Sequence, residues 1–215
     1  MNTNPTAKRT LCFGDSNTWG YIPGTGKRYP VGIRWTSLLQ EKLGNDFEII
    51  EEGLNSRTTD IDDPKHLGKN GLTYFRPCLE THDQIDLLIL WLGTNDMKER
   101  FNREPQRIAD GINNLLNTLK QFTIEEETKM PQVILVSPPL VDESIHGVKD
   151  KYLGAGEKSK QLAGLYEQLA SQYNYPFIDI ASLVSPSKTD GYHLEPADHR
   201  VIAEQLYQII SNLCL

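Results

Sequence analysis

Ser16, Asp190 and His193 are the residues whose types and spacing could do nucleophilic chemistry. Ser16 follows a short apolar run, Leu11, Cys12 and Phe13, that stops at Gly14 and Asp15. A strand ending in a small residue and an Asp-Ser pair is a sharp exit from a sheet, and a serine held there is a nucleophile if a base lies nearby. Asp190 and His193 are separated by a turn containing Gly191, so the carboxylate can fold back onto the imidazole and hold one tautomer. The other ring nitrogen is then free to take the Ser16 proton. Asn95, in Gly93-Thr94-Asn95-Asp96, adds a side-chain amide suited to a developing oxyanion. Taken singly, these residues have plainer readings. Asp15, Ser16 or Asn17 could cap a helix, Asn95 and Asp190 could form turns, and His193 could be a surface or capping histidine. A hydroxyl, an imidazole, a carboxylate and an oxyanion donor together are what an acyl-transfer site requires.

Those residues work only if the fold brings them to one place. Apolar runs closed by turn residues predict strands at 11–13, Phe47–Ile50, Ile85–Leu92, Val133–Val136 and Phe177–Ile180. The run Ile85–Leu92 is nearly continuous, as expected of a central parallel strand buried on both faces. Helical periodicity falls between the strands, over Arg34–Leu43, Leu72–Thr81, Pro105–Gln121, Glu157–Tyr173 and Pro196–Leu213. Five β-α repeats with right-handed crossovers predict a three-layer α/β/α sandwich on a five-stranded parallel sheet. The expected strand order is the flavodoxin-like 2-1-3-4-5. In such a sheet every loop after a strand reaches the same carboxyl edge, where ligands bind. Ser16, the Asn55-Ser56 pair, the Asn95-Asp96 pair and the Asp190–His193 turn all lie just past a strand.

The 215 residues fit one domain with ample chain for a core. A net charge of −7 and the lack of a basic stripe argue against nucleic acid or an anionic membrane as partner. Cys12, Cys78 and Cys214 are far apart and odd in number, which fits reduced, mostly buried thiols rather than disulfides or a zinc site. The polar start, Met1 to Arg9, holds no apolar signal core, and no run has the length of a membrane span, so a cytoplasmic protein is expected. The phosphate-cradling glycine motifs are missing, which argues against a nucleotide cofactor. Asp15 and Asp96 invite a metallophosphoesterase reading, but no Asp-x-His precedes them and the ligand count fails. No cofactor and no metal are expected. Hydrogen bonding that shapes the loops is the role left to the two aspartates. His66, His82, His146 and His199 have no neighbours at metal-ligand spacing, and Asp198 and His199 are expected to be solvated on the last helix.

Gly14-Asp15-Ser16-Asn17, Gly93-Thr94-Asn95-Asp96 and Asp190-Gly191-Tyr192-His193 resemble three signature blocks of the SGNH, or GDSL-type, hydrolases, in order and in approximate spacing. The segment Glu51–Thr59, with Ile61–Pro64 after it, further resembles the bacterial arylesterase/acyltransferase branch. The resemblance implies Ser16 as nucleophile, His193 as base and Asp190 as its orienter. It also implies an oxyanion hole from the Ser16 and Ser56 backbone N–H groups and the Asn95 side chain. Many members carry Gly where Ser56 stands, and Gly53 is the alternative if the alignment shifts. Trp19, three residues after Ser16, is the candidate for lining an acyl pocket, with Asp15 as a second pocket or loop-shaping residue. The implied activity is a serine esterase acting on short-chain acyl or acetyl esters of aryl or carbohydrate alcohols through an acyl-enzyme, with acyl transfer as an extension. A lysophospholipase or thioesterase on the same fold, and a non-catalytic ligand-binding domain, are the other readings. The expected partner is a small-molecule ester, and the branch's habit of assembling makes a homo-oligomer an expectation too.

Overall fold

The computed structural model describes residues 2–82 and 84–213. Its centre is a five-stranded sheet in the order β2-β1-β3-β4-β5, parallel throughout. The strands are β1 (Lys8–Gly14), β2 (Phe47–Gly53), β3 (Leu87–Trp91), β4 (Gln132–Val136) and β5 (Phe177–Ile178). The helices are α1 (Ser16–Trp19), α2 (Trp35–Leu43), α3 (Gly71–Thr81), α4 (Pro105–Glu125), α5 (Lys149–Tyr152), α6 (Ala155–Tyr173) and α7 (Pro196–Ser211). After β2 the chain crosses to the other side of β1, so the strand order reverses between β1 and β3. A crevice opens at such a reversal, beyond the carboxyl ends of the two strands.

Side-chain alternation builds a core on each face. Leu11, Phe13, Leu88, Leu90, Val133 and Leu135 pack against α3, α4 and α6. Cys12, Leu87, Ile89, Trp91, Ile134 and Val136 face α2 and α7. All five residues of β3 are buried, so an apolar side chain is needed at every position and period-two patterning disappears. α4 starts with Pro105, whose missing N–H costs nothing there. α7 begins in a reciprocal cap, with the Glu195 N–H donating to the Asp198 carboxylate at 2.8 Å. None of the described helices is long and apolar enough to cross a membrane.

The structure departs from the sequence reading at element ends and at one histidine. β2 runs on through Glu51 and Glu52 to Gly53, a polar stretch that reads as turn. Tertiary partners explain it: Arg34 donates to both Glu51 oxygens at 3.0 Å, and His82 bonds Glu52 at 2.9 Å. β5 stops at Ile178 because Asp179 caps a 3-10 turn, accepting from the Ala181 N–H. Cys12 and Cys78 are buried free thiols, as expected, while Cys214 lies outside the described residues. Asp198 is only half-buried and occupied in the α7 cap, and His199, expected to be solvated, is 1% exposed. Its Nδ1 accepts the Trp35 N–H at 3.3 Å, which caps the start of α2, and Tyr29 packs edge-on at 5.4 Å.

Burial, reinforced by the Arg34 charge, lowers the His199 pKa to about 4. The folded protein therefore binds fewer protons here than the unfolded chain below its ordinary 6.5. The resulting stability is complete above pH 6.5 and disappears as the pH falls toward 4. Its full size is roughly 3 kcal/mol. In urea unfolding across that range, His199→Gln should show a shallower loss of stability on acidification than wild type. Equal slopes would show that His199 carries none of it.

Candidate active site

β1 delivers Ser16 to the crevice through a tight exit. A Cβ at Gly14 would meet the Thr18 hydroxyl at 2.1 Å and the Trp91 carbonyl at 2.9 Å, so the strand can turn into α1 only without a side chain. Asp15 then caps α1, accepting the Asn17 N–H at 2.9 Å. Ser16, the first helical residue, is 6% exposed.

The Ser16 Oγ lies 2.9 Å from His193 Nε2, and His193 Nδ1 lies 2.7 Å from Asp190 Oδ2. The Asp190 carboxylate also accepts the N–H groups of His193 (3.1 Å), Tyr192 (3.4 Å) and Gly24 (3.1 Å). Burial works to raise the Asp190 pKa, but the His193 hydrogen bond and charge and the backbone donors outweigh it, holding the carboxyl below its ordinary range. An ionised Asp190 fixes the proton on Nδ1 and leaves Nε2 to accept from the Ser16 hydroxyl. The imidazole is held from its faces as well, stacked on Tyr21 at 4.2 Å with Tyr192 at 4.5 Å.

The loops after β2 and β3 form the opposite wall. Asn95 opens a 3-10 turn, with its Nδ2 donating to the Arg57 carbonyl at 3.0 Å and, more weakly, to Asp15 Oδ2 at 3.4 Å. Asp96, fully buried, accepts the Thr59 N–H, the Thr59 hydroxyl at 2.6 Å and Arg103 at 2.9 Å. Burial pushes its pKa up to about 6 against the pull of Thr59 and Arg103. These bonds lock the two loops together. Arg57, 2% exposed, adds a third tie by donating to the Gly14 carbonyl at 3.0 Å with its guanidinium stacked 4.1 Å over Phe13.

A cavity of about 520 Å³ opens over this arrangement, lined among others by Ser16, Asn55, Ser56, Asn95 and His193. The structure thus brings Ser16, Asp190, His193, Asn95 and Ser56 together. Ser56 adopts a φ of +67°, the left-handed region that favours glycine. Gly53 is elsewhere, in β2 against α1, and does not line the cavity. Two pocket expectations are corrected. Trp19 is not among the lining residues, because its ring packs under the Arg28 guanidinium at 5.4 Å; Tyr21 lines the cavity in its place. Asp15 is buried beneath the floor, occupied by Asn17 and Asn95. Neither Tyr21 nor Arg57 carries a sequence signal beyond standing in a loop next to a marked residue. His66, given no role by its spacing, lines the cavity and pairs with Asp63 at 3.0 Å.

Away from this cavity, Glu52, Cys78 and His82 bring three potential ligand atoms within 4.8 Å of one another. Cys78 and His82 stand four apart at the end of α3, so His82, expected to have no neighbour at metal-ligand spacing, does have one. The His82–Glu52 hydrogen bond and Arg57, 3.7 Å from the same carboxylate, already satisfy that group.

An α/β sandwich with a serine, a histidine and an aspartate in hydrogen-bonded series defines a class, the serine acyl hydrolases. The chain belongs to the GDSL-like lipase/acylhydrolase family, whose model matches residues 12–201, and it is a carboxylic ester hydrolase. It resembles an aryl esterase from M. smegmatis, with 40% identity over 96% of this chain and 100% of that one, at a TM-score of 0.90. It is also similar to a carbohydrate acetylesterase from Sinorhizobium meliloti, with 36% identity, 95% and 98% coverage and a TM-score of 0.89. A lipolytic protein of the G-D-S-L family from Veillonella parvula shares the fold at 16% identity, with 96% and 100% coverage and a TM-score of 0.72. Comparison with curated proteins finds no match.

A Cβ at Gly53 would fall 2.2 Å from the Trp19 backbone nitrogen and 2.7 Å from the Thr18 carbonyl carbon. Gly53→Ala must therefore push α1, and Ser16 with it, away from the sheet. We expect a loss of about 1–3 kcal/mol in urea unfolding, the usual cost of overpacking, together with reduced ester hydrolysis. Unchanged stability and rate would show that α1 does not rest on this contact.

Proposed function

We propose that Ser16 is the nucleophile, His193 the general base and Asp190 the group that orients it, in an esterase that works through an acyl-enzyme. The observation that carries this reading is the continuous series from the Asp190 carboxylate through the imidazole to the Ser16 hydroxyl, ending in the cavity. As Ser16 Oγ attacks the ester carbonyl, its proton passes to His193 Nε2, and Asp190 stabilises the imidazolium. The carbonyl oxygen becomes an oxyanion held by the Ser16 and Ser56 N–H groups and the Asn95 amide. Collapse breaks the ester C–O bond, and the leaving alcohol takes the proton from Nε2. Water then repeats the sequence on the acyl-enzyme to release the carboxylic acid. An alcohol in place of that water gives acyl transfer.

Short acyl groups, acetyl above all, on aryl or carbohydrate alcohols are the proposed substrates. The two relatives at 36–40% identity support this, one an aryl esterase and the other a carbohydrate acetylesterase. On 4-nitrophenyl acetate, Ser16→Ala should lower kcat by about 10⁴–10⁶-fold. Asn95→Ala should lower it by about 10²–10³-fold, the usual worth of one oxyanion donor. A folded Ser16→Ala enzyme that keeps wild-type turnover would end the proposal.

A further inference from the structure

Lys98 is a buried cation that makes no ion-pair contact among the described residues. It lies between two 3-10 turns, Asn95–Met97 and Glu99–Phe101, three residues past Asn95 on the cavity wall. Only 6% of the residue is exposed. Its Nζ reaches the Ser56 hydroxyl at 3.5 Å and stands 6.0 Å from the Tyr152 ring, and both of these residues also line the cavity. Among the described residues no carboxylate comes within 4.0 Å of it. Asp63 and Asp15 act on it only from beyond contact: the Asp63 carboxylate is already occupied by Arg100, His66 and the Lys65 N–H, and that of Asp15 by Asn17 and Asn95.

The surroundings add to the imbalance. The cavity is lined by four cationic side chains, Lys65, Lys98, Arg100 and Lys151, against two carboxylates, Glu99 and Asp150. Glu99 and Asp150 are exposed, as are Lys65 and Lys151, and Arg100 is paired with Asp63, which leaves Lys98 as the buried cation of the wall. The protein as a whole carries −7. Positive charge is therefore gathered around the one cavity that holds Ser16 and His193, in a chain that is otherwise acidic. Burial, helped by the charges of Arg100 and Lys151 and opposed by those of Asp63 and Asp15, brings the Lys98 pKa down to about 8. An ammonium taken out of water without a partner is costly to the folded state and is repaid when an anion arrives. A cleft lined by one sign of charge also concentrates ligands of the opposite sign.

We propose that Lys98 is the recognition residue for a carboxylate carried by the substrate, so that this site prefers esters bearing a free carboxylate. The anion would take the Nζ protons that face Ser56 and Tyr152 while the ester carbonyl sits between Ser16 and Asn95. Lys65, Arg100 and Lys151 at the cavity wall draw it in. This deepens the esterase reading above and rests on it.

Two matched pairs of substrates test the assignment. The first is 4-acetoxybenzoate against its neutral methyl ester, with the carboxylate on the alcohol side. The second is mono-4-nitrophenyl succinate against its methyl ester, with the carboxylate on the acyl side. Wild-type enzyme should show a higher kcat/KM for the anionic member of at least one pair, and that pair identifies the side Lys98 reads. Lys98→Met should lower the anionic-to-neutral ratio about tenfold or more, the usual worth of a hydrogen bond to a charged group, while Lys98→Arg should keep most of it. The ratio is the readout, so a general loss of rate in the variant does not decide the matter, and Lys98→Gln serves if the Met variant does not fold. A wild-type enzyme without preference in either pair overturns the proposal, as does a preference that survives loss of the lysine. If the neutral esters are hydrolysed only when Ser16 is present, the esterase reading stands whatever the ratio. If no ester is hydrolysed at all, that reading fails first.

Discussion

The hydrogen bond between the Ser16 hydroxyl and His193 joins two points 177 residues apart, each held by its own turn. Ser16 is fixed by the exit from β1, where Gly14 lets the chain bend against Thr18 and Trp91. His193 is fixed by a turn whose own backbone N–H groups, with that of Gly24, converge on Asp190. Only the parallel sheet relates the two, because it sends the loop after every strand to one edge. A hydrogen bond of this length requires placement to a few tenths of an ångström, so the packing of both cores bears on it.

Rigidity at that edge comes from buried polar groups that bond one another across the loops. Asp15, Arg57, Thr59, Asn95 and Asp96 are all nearly inaccessible, and among their described side-chain atoms only the Arg57 Nε is left without a partner. Each is bonded to a neighbouring loop: Asp15 to Asn95, Asn95 to the Arg57 carbonyl, Arg57 to Gly14, and Asp96 to Thr59. A nearly satisfied network in a low dielectric specifies one arrangement and resists slack. The same bonds hold the Asn95 amide in place, and the longer of the two, 3.4 Å to Asp15, is the one a developing oxyanion would replace. Lys98 stands out against this background as the buried charge that no carboxylate touches among the described residues.

Much of the arrangement could be read from the chain itself. The alternation of apolar runs and helical periodicity predicted the parallel three-layer sandwich; the strand order itself is not written in the pattern, and a common order for five β-α units is the one found. Ser16, Asn95, Asp190 and His193 were visible because each follows a strand and carries chemistry that a turn does not need. Trp19 misled because distance along the chain says nothing about which way a ring points out of a four-residue helix. Tyr21 was hidden for the same reason, in a Gly- and Pro-rich loop without periodicity. Arg57 and Lys98 read as ordinary surface cations, since the burial that makes them unusual comes from residues far off in sequence. His199 belongs with them: a polar residue on a helix reads as solvated until Trp35 and Tyr29 are seen to enclose it. Glu51 and Glu52 continue a strand only because Arg34 and His82 arrive to meet them.

The claim at the centre of this account is that His193 and Asp190 make the Ser16 hydroxyl a nucleophile. Treatment with a fluorophosphonate probe, followed by proteolysis and mass spectrometry, tests it directly. One phosphonyl adduct on the peptide carrying Ser16, lost in a folded His193→Ala variant, is the expected result. An unlabelled Ser16, or labelling indifferent to His193, would contradict it.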